Sequence, residues 1–283
     1  MRAVPPEHVH RRMRERTRGS LATVSPLMSL YGHRMPQSDA GGLRVTRMNA
    51  HTYPGTELEL FQHAVHWKQY YANRLAPYIS GDVLEVGAGI GGTTAHLCSG
   101  TQRSWTCLEP DAALLEAARA RFNGGSVKGV PLRWQIGTLN DLPSTARFNT
   151  ILYIDVLEHI EHDRDELKAA RSHLADGGHI VVLSPAHQWL YSEFDRAVGH
   201  HRRYTAAALR ALTPSGARLV HSEYLDSFGT LLSATNRLFL RQSRPTSAQI
   251  AFWDRWLLPV SKVTDRMLGS VIGRSVVAVW QRE

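Results

Sequence analysis

A glycine-rich turn bracketed by carboxylates is the first feature of this sequence that could do chemistry. Glu85-Val86-Gly87-Ala88-Gly89-Ile90-Gly91-Gly92 follows a short apolar run that starts at Val83. Glycine suits such a turn because a Cβ would hold a ligand away from the backbone and because the bend needs unusual dihedrals. Gly87, Gly89 and Gly92 also satisfy the G-x-G-x-x-G spacing of nicotinamide enzymes. Glu109 closes the next apolar run, roughly 20 residues on, where a carboxylate accepts hydrogen bonds from both hydroxyls of a ribose. These features fit any adenosine-containing cofactor. Two further acids separate the alternatives. Glu85, two residues before the first glycine, suits a cofactor with an ammonium group and repels a pyrophosphate. Asp155 ends a later apolar run, Ile151-Leu152-Tyr153-Ile154, and would face a sulfonium centre favourably.

Groups able to take a proton lie further along. His159 follows Glu158, and Trp189-Leu190-Tyr191-Ser192-Glu193-Phe194-Asp195 leads to Gly199-His200-His201-Arg202-Arg203-Tyr204. Imidazole titrates near neutral pH, so a paired histidine in a mixed aromatic and acidic loop is a candidate base. At least one of His200, His201 and Tyr204 is expected beside an acceptor.

The elements that must position these groups follow from periodicity. From Glu57 to about Tyr78, Phe61, Ala64, Trp67, Tyr71 and Leu75 recur at spacings of three and four, which predicts a helix with one apolar face. Strands are expected at Val83–Val86, Trp105–Glu109, Arg133–Leu139, Phe148–Asp155 and His179–Ser184. Helices are expected at Thr93–Cys98, Asp111–Phe122 and Asp163–Leu174, the last closed by Gly177-Gly178. Leu219–Leu225 and Ser275–Trp280 read as two more strands. Alternation at this spacing predicts a mostly parallel sheet with both faces covered by helices. Between the last two strands lies a long insertion, about 226 to 274, with helical segments at Leu231–Leu240 and Ile250–Leu268 that carry Phe239, Trp253, Trp256 and Leu257.

Taken in order, these motifs resemble the class I S-adenosylmethionine (SAM)-dependent methyltransferases, in particular the ubiquinone-biosynthesis type. The matching residues are Val83 to Gly91, then Leu108-Glu109-Pro110-Asp111, then Tyr153 to His159, then Ala175-Asp176-Gly177-Gly178. The resemblance covers roughly residues 57 to 186. It implies a Rossmann-like α/β fold: a seven-stranded, mostly parallel sheet with helices on both faces and an antiparallel last strand, plus an N-terminal helical extension and a helical insertion. It implies that Gly87, Gly89 and Gly91 line the methionine and ribose of SAM, that Glu109 holds the ribose diol, and that Pro110 contacts the adenine. The position where the family often has an acid for the adenine amino group holds Thr138, so Thr138, the Leu139 backbone or Asp141 must substitute. Trp67 and Tyr71 could cover the methionine end or pack on the sheet. Asp155, Glu158 and His159 resemble a metal half-site of some relatives, which His200 or His201 could complete; many relatives carry the same run without metal, and none is expected here.

Methyl transfer from a sulfonium is a one-step displacement, so no nucleophilic triad is required. The protein aligns acceptor and methyl, excludes water and removes a proton where needed. The aromatic insertion predicts a roof over a small-molecule acceptor, aromatic or apolar, such as a secondary metabolite. Alternatives are an RNA methyltransferase, a nicotinamide-dependent oxidoreductase, and a SAM-binding protein without catalysis. The formal charge of +8 and pI of about 9.8 come almost wholly from arginine. No basic stripe with interleaved aromatics appears in the folded part, so a nucleic-acid partner is not expected. No run approaches the roughly 20 apolar residues of a membrane span. Cys98 and Cys107 alone exclude a disulfide framework and a cysteine zinc site. Residues 1–56, with Arg11, Arg12, Arg14, Arg16 and Arg18, read as a flexible basic tail or lid rather than a secretory signal, and 57–283 as the catalytic domain. A cytoplasmic protein is expected, and a homodimer is left open.

Overall fold

The computed structural model describes residue 58 and residues 61–123, 125–235 and 246–283. The expected tail or lid, 1–56, lies outside the described residues, as does Phe239.

The helix expected from Glu57 is interrupted: Leu58 and Phe61 are helical, the chain turns at Gln62 and His63, and α1 (Val65–Leu75) follows. Its start is set from a distance. The Asp254 carboxylate accepts the backbone N–H groups of His66 (3.0 Å) and Trp67 (2.8 Å), which a helix N-terminus otherwise leaves unpaired. Ala76-Pro77-Tyr78 then tightens into a 3-10 turn, and Gly81 at φ +65° turns the chain into β1 (Asp82–Val86). There follow α2 (Thr94–Leu97), β2 (Ser104–Glu109) and α3 (Ala112–Arg121). Asp111 caps α3 by accepting from the N–H groups of Ala113 and Leu114.

Next come β3 (Ser126–Val127) and β4 (Val130–Ile136), an antiparallel hairpin about Lys128 and Gly129, both at positive φ. The sequence reading missed β3, which is two residues long and lacks an Asn-Gly or Asp-Gly turn signal. It also set the neighbouring strand three residues late. Gly137 at φ +132° ends β4, and Thr138 and Asp141 cap each other's backbone across the following 3-10 turn.

The remaining elements are β5 (Phe148–Ile154), α4 (Asp163–Ser172), β6 (Leu174–Pro185), α5 (Glu193–Ala197), α6 (Ala206–Ala211), β7 (Ala217–Leu225), α7 (Ser227–Thr235), α8 (Ser247–Phe252), α9 (Leu258–Met267) and β8 (Ser275–Arg282). A π-helical turn, Trp253–Leu257, joins α8 to α9. Gly177-Gly178 does not close α4, contrary to expectation. Leu174 already pairs with Phe148, and the glycines lie in an irregularity before Thr150 meets His179. A Cβ on Gly178 would stand 2.8 Å from the Asn149 carbonyl oxygen.

The sheet has eight strands in the order β3-β4-β2-β1-β5-β6-β8-β7. β4, β2, β1, β5 and β6 are parallel, and β8 runs antiparallel between β6 and β7. The mostly parallel architecture expected from the motifs is thus present, with the short β3 added. Alternate residues feed two cores. Val83, Leu152, Val181, Val277 and Val279 pack with α1 and the insertion. Leu84, Ile151, Tyr153, Val182 and Trp280 pack with Leu167 and Ala170 of α4 and Leu209 of α6. The insertion leaves the sheet after Leu225 and returns at Ser275, and these two residues are register partners.

Candidate active site

Parallel strands leave a crevice at their carboxyl ends. Here it is a cavity of about 1010 Å³. Its floor is the turn Gly87–Ile90 with Ile154, Asp155 and Pro185. One wall carries Glu158, His159, Asp195, His200 and Arg203. The other side is α1, through Trp67, Lys68 and Tyr71, and the insertion, through Leu232, Ile250, Trp253 and Leu257. Trp67 meets Tyr71 edge-on at 5.4 Å and Trp253 at 5.9 Å.

The turn is shaped by its glycines. At Gly87, φ +67°, a Cβ would lie 2.7 Å from Val156 Cγ2. At Gly91, φ +71°, it would lie 2.6 Å from the Phe122 ring. Gly87 and Gly89 line the cavity, whereas Gly91 lets the turn settle against α3.

The acids behave differently from one another. Glu85 does not line the cavity. It points into the core, where one oxygen accepts from Thr94 Oγ1 (2.6 Å) and Trp105 Nε1 (2.8 Å), and burial pushes its carboxyl up to about 7. The expected direct contact with a cofactor ammonium is therefore replaced by a tie between β1, β2 and α2. Glu109 accepts the N–H of Gly89 (2.9 Å) and of Asp111 (3.0 Å), one per oxygen. Burial raises its carboxyl, and those two bonds oppose the rise. Thr138 is exposed and tied to Asp141, Leu139 is buried in the core, and neither of them nor Glu109 nor Pro110 borders the cavity.

Asp155 sits at φ +54°, open to the cavity but walled by protein on the other sides. Burial pushes its carboxyl up to about 6, against the pull of His200, Arg274, Lys68 and Arg203. Lys68 was not among the expected site residues. Its place on the buried face of α1, four residues from both Ala64 and Ala72, was a readable signal. Burial and Arg121 bring its amine down to about 8.

His200 is held by Asp195. Its Nδ1 lies 2.9 Å from Asp195 Oδ1, and the same carboxylate accepts a forked pair from Arg203 Nε (2.8 Å) and Nη2 (2.9 Å), as well as Ser192 Oγ (2.8 Å). Burial works against ionisation of Asp195, but the bonds from His200 and Arg203 outweigh it and hold the carboxyl below its ordinary range. An ionised carboxylate only accepts, so His200 Nδ1 carries a proton toward Asp195 and the ring is oriented by it. Nε2 faces Glu158 Oε1 at 3.9 Å. Glu158 is wholly buried. Its Oε2 accepts from Ser184 Oγ (2.9 Å), while Oε1 has no hydrogen-bond partner. Burial and the neighbouring Asp155 raise it far above the carboxylate range. The His159 ring stands nearly perpendicular to that of His200, 4.6 Å away, and burial brings it down to about 4.

Two expected catalytic groups do not reach this cavity. His201 is exposed, and only its N–H binds back, to the Glu158 carbonyl (2.8 Å). Tyr204 is buried, with its hydroxyl on Asp163 Oδ2 (2.8 Å) and the Leu157 carbonyl (3.3 Å). It fastens the loop that carries Glu158 rather than facing an acceptor. The structure brings together His159, His200, Asp155, Gly87, Gly89, Trp67 and Tyr71. Besides Lys68, the sequence reading missed Asp195, Arg203, Glu158 as a cavity wall, and Arg274, whose guanidinium lies 4.2 Å over Trp253 and 3.2 Å from Asp226.

One metal-competent cluster is present among the described residues: Glu158, His159 and His200 each offer a ligand atom, and these lie within 4.8 Å of one another. The orphaned Glu158 Oε1 fits a cation at that point.

Residues 84–180 match a methyltransferase-domain family. No curated protein matches the chain. Among solved structures, a chain of the complex between the Haloferax volcanii Trm112 methyltransferase activator and the putative methyltransferase superposes with a TM-score of 0.55 at 14% identity, covering 81% of this chain and 96% of that one. Coclaurine N-methyltransferase bound to N-methylheliamine and S-adenosylhomocysteine (SAH) superposes at 0.52 with 12% identity, covering 77% and 72%. A SAM-dependent methyltransferase from Mesorhizobium loti superposes at 0.50 with 15% identity, covering 75% and 96%.

Proposed function

We propose that the chain is a class I SAM-dependent methyltransferase whose acceptor is a small, aromatic or apolar molecule, such as a secondary metabolite, deprotonated by His200. The observation that carries this reading is the Asp195–His200 pair opening on a roofed cavity continuous with the glycine turn. A volume of about 1010 Å³ suits a small acceptor beside the reactive end of a cofactor. The aromatic and aliphatic roof, Trp67, Ile250 and Trp253, suits an apolar one. The nicotinamide alternative is overturned by the methyltransferase family match.

In this reading Gly87 and Gly89 admit the methionine moiety, and Gly91 supports the turn from behind. Glu109, which two backbone N–H groups orient behind the turn, takes the ribose diol where the nucleoside extends past Gly89 beyond the cavity, and Pro110, Thr138 and the Leu139 backbone would there border the adenine. Asp155 faces the sulfonium or the methionine ammonium, and Lys68 receives the methionine carboxylate. Trp67 and Tyr71 close the methionine end against water. His200 Nε2 accepts the proton of an acceptor O–H or N–H as the methyl transfers, and Asp195 stabilises the imidazolium that results. Glu85 acts through the turn as a positioning residue. His159, brought down to about 4, is neutral at working pH and lines the acceptor side.

Calorimetry with SAH followed by a labelled-methyl screen of small acceptors tests the reading. Methyl uptake by RNA alone, with affinity falling steeply with salt, would transfer the assignment to RNA.

The orphaned Glu158 Oε1 favours a second reading over the expectation of no metal. Glu158, His159 and His200 would hold a divalent ion, which supplies Lewis acidity toward an acceptor oxygen when bound. Here His200 would serve as ligand, with Asp195 orienting its ring. Titration with Mn²⁺ followed by electron paramagnetic resonance separates the two: a bound ion lost in Glu158→Gln supports it, and chelator-indifferent activity with no bound ion rejects it.

A further inference from the structure

The insertion has a second face, directed away from the cavity. Trp256, Val260, Val263 and Met267 recur at spacings of four, three and four along the π turn and α9, and are 41–79% exposed, whereas Phe252, one turn earlier on α8, borders the cavity. Leu268, Val271 and Ile272 extend the stripe past the helix. Seven of the twelve exposed large apolar side chains among the described residues thus fall between 256 and 272. Single exposed apolar residues need no explanation, but a contiguous stripe does.

Charge indicates what covers it. From 226 to 274 the sequence carries seven basic residues and three acidic ones. All three acids are turned inward. Asp226 is 0% exposed and accepts from Gly229 N–H and Ser261 Oγ; Asp254 is 4% exposed and caps α1; Asp265 is 1% exposed and accepts from Tyr70 and from the backbone of Asp226 and Ser227. Arg255 and Arg266 stay exposed beside the stripe, and Lys262 lies 5.5 Å over the Tyr70 ring. The outward charge of this helix is therefore positive, around an apolar strip.

We propose that the outer face of residues 256–272 docks on an anionic lipid bilayer, lying in the headgroup layer. An apolar face with basic flanks meets there both the acyl boundary and the lipid phosphates. No helix among the described residues is long and apolar enough to cross a membrane, so the contact is interfacial. A second copy fits less well, because a two-fold contact through this face sets Arg255 and Arg266 among their own kind. The docking stands whatever the methyl acceptor is.

Sedimentation of the full chain with vesicles tests it. Pelleting with phosphatidylcholine vesicles containing phosphatidylglycerol is expected to exceed that with pure phosphatidylcholine by roughly tenfold. The variant W256S/V263S/M267S, which alters only exposed positions away from the cavity, should lose roughly tenfold in partitioning while binding SAH like the parent. R255Q/R266Q should lose the preference for the anionic vesicles. Equal pelleting with both vesicle types, or unchanged partitioning of the triple serine variant, overturns the proposal; the latter would point to the arginines before residue 20. A dimer by light scattering that the triple variant dissociates, without vesicle binding, also overturns it and makes the stripe a self-association face.

Discussion

The two ends of the crevice are built by different means. At the nucleoside end, carboxylates are satisfied by nearby backbone: Glu109 by the N–H groups of Gly89 and Asp111, and Asp141, after the neighbouring strand β4, by that of Thr138 three residues before it. At the acceptor end, side chains from separate loops meet one another: Asp195 with His200 and Arg203, Glu158 with Ser184. The first end is preformed, its carboxylates already held by fixed donors, which suits a constant ligand. The second holds a buried carboxyl raised far up, an imidazole brought down to about 4 and an orphaned oxygen. Such perturbed groups mark where charge is to be moved.

If the division is real, damage at the two ends separates cleanly. His200→Ala is expected to lower kcat by about a thousandfold with the acceptor found in the screen, leaving SAH affinity within about a factor of two, as stopped-time assays and calorimetry would show. Parallel losses of both would abolish the distinction. Glu85→Gln sharpens it at the nucleoside end through stability. The folded-state value of Glu85, about 7, lies above its ordinary value, so its contribution is fully present in acid and is lost as pH rises through 7. Unfolding in urea should show the parent losing on the order of 3 kcal/mol from this group between pH 4 and 8, with the glutamine variant lacking that slope. Glu109→Ala should weaken SAH binding by about fiftyfold while leaving the pH dependence of kcat in place. The smallest effect is at Lys68, where the amine, at about 8, is a cation below that pH. SAM affinity should fall as pH rises above 8, and Lys68→Met should cost about tenfold at pH 7 and flatten the profile. An unchanged profile would remove Lys68 from the carboxylate site.

Sequence legibility followed the same line. The glycine turn, Glu109 and Asp155 are readable because each is fixed by a strand end, and strands announce themselves by period and length. Lys68 was equally readable and was overlooked, since a lysine on the apolar face of a helix is an anomaly its spacing exposes. His200 and His201 could not be told apart, because they lie in a nonperiodic loop where only Asp195 decides which ring turns inward. Tyr204 looked reactive for the same reason, until its hydroxyl was found on Asp163. The start of α1 was beyond local reading altogether, as its cap comes from Asp254, far along the chain.

The insertion departs from Leu225 and re-enters at Ser275, two residues that face each other across a β ladder. Its ends are thus clamped a strand's width apart by the sheet itself. Resizing the stretch between them adds little to the entropy of closing that loop. The residues that cannot be exchanged freely are Asp254 and Asp265, which reach out of the insertion to cap α1 and to hold Tyr70.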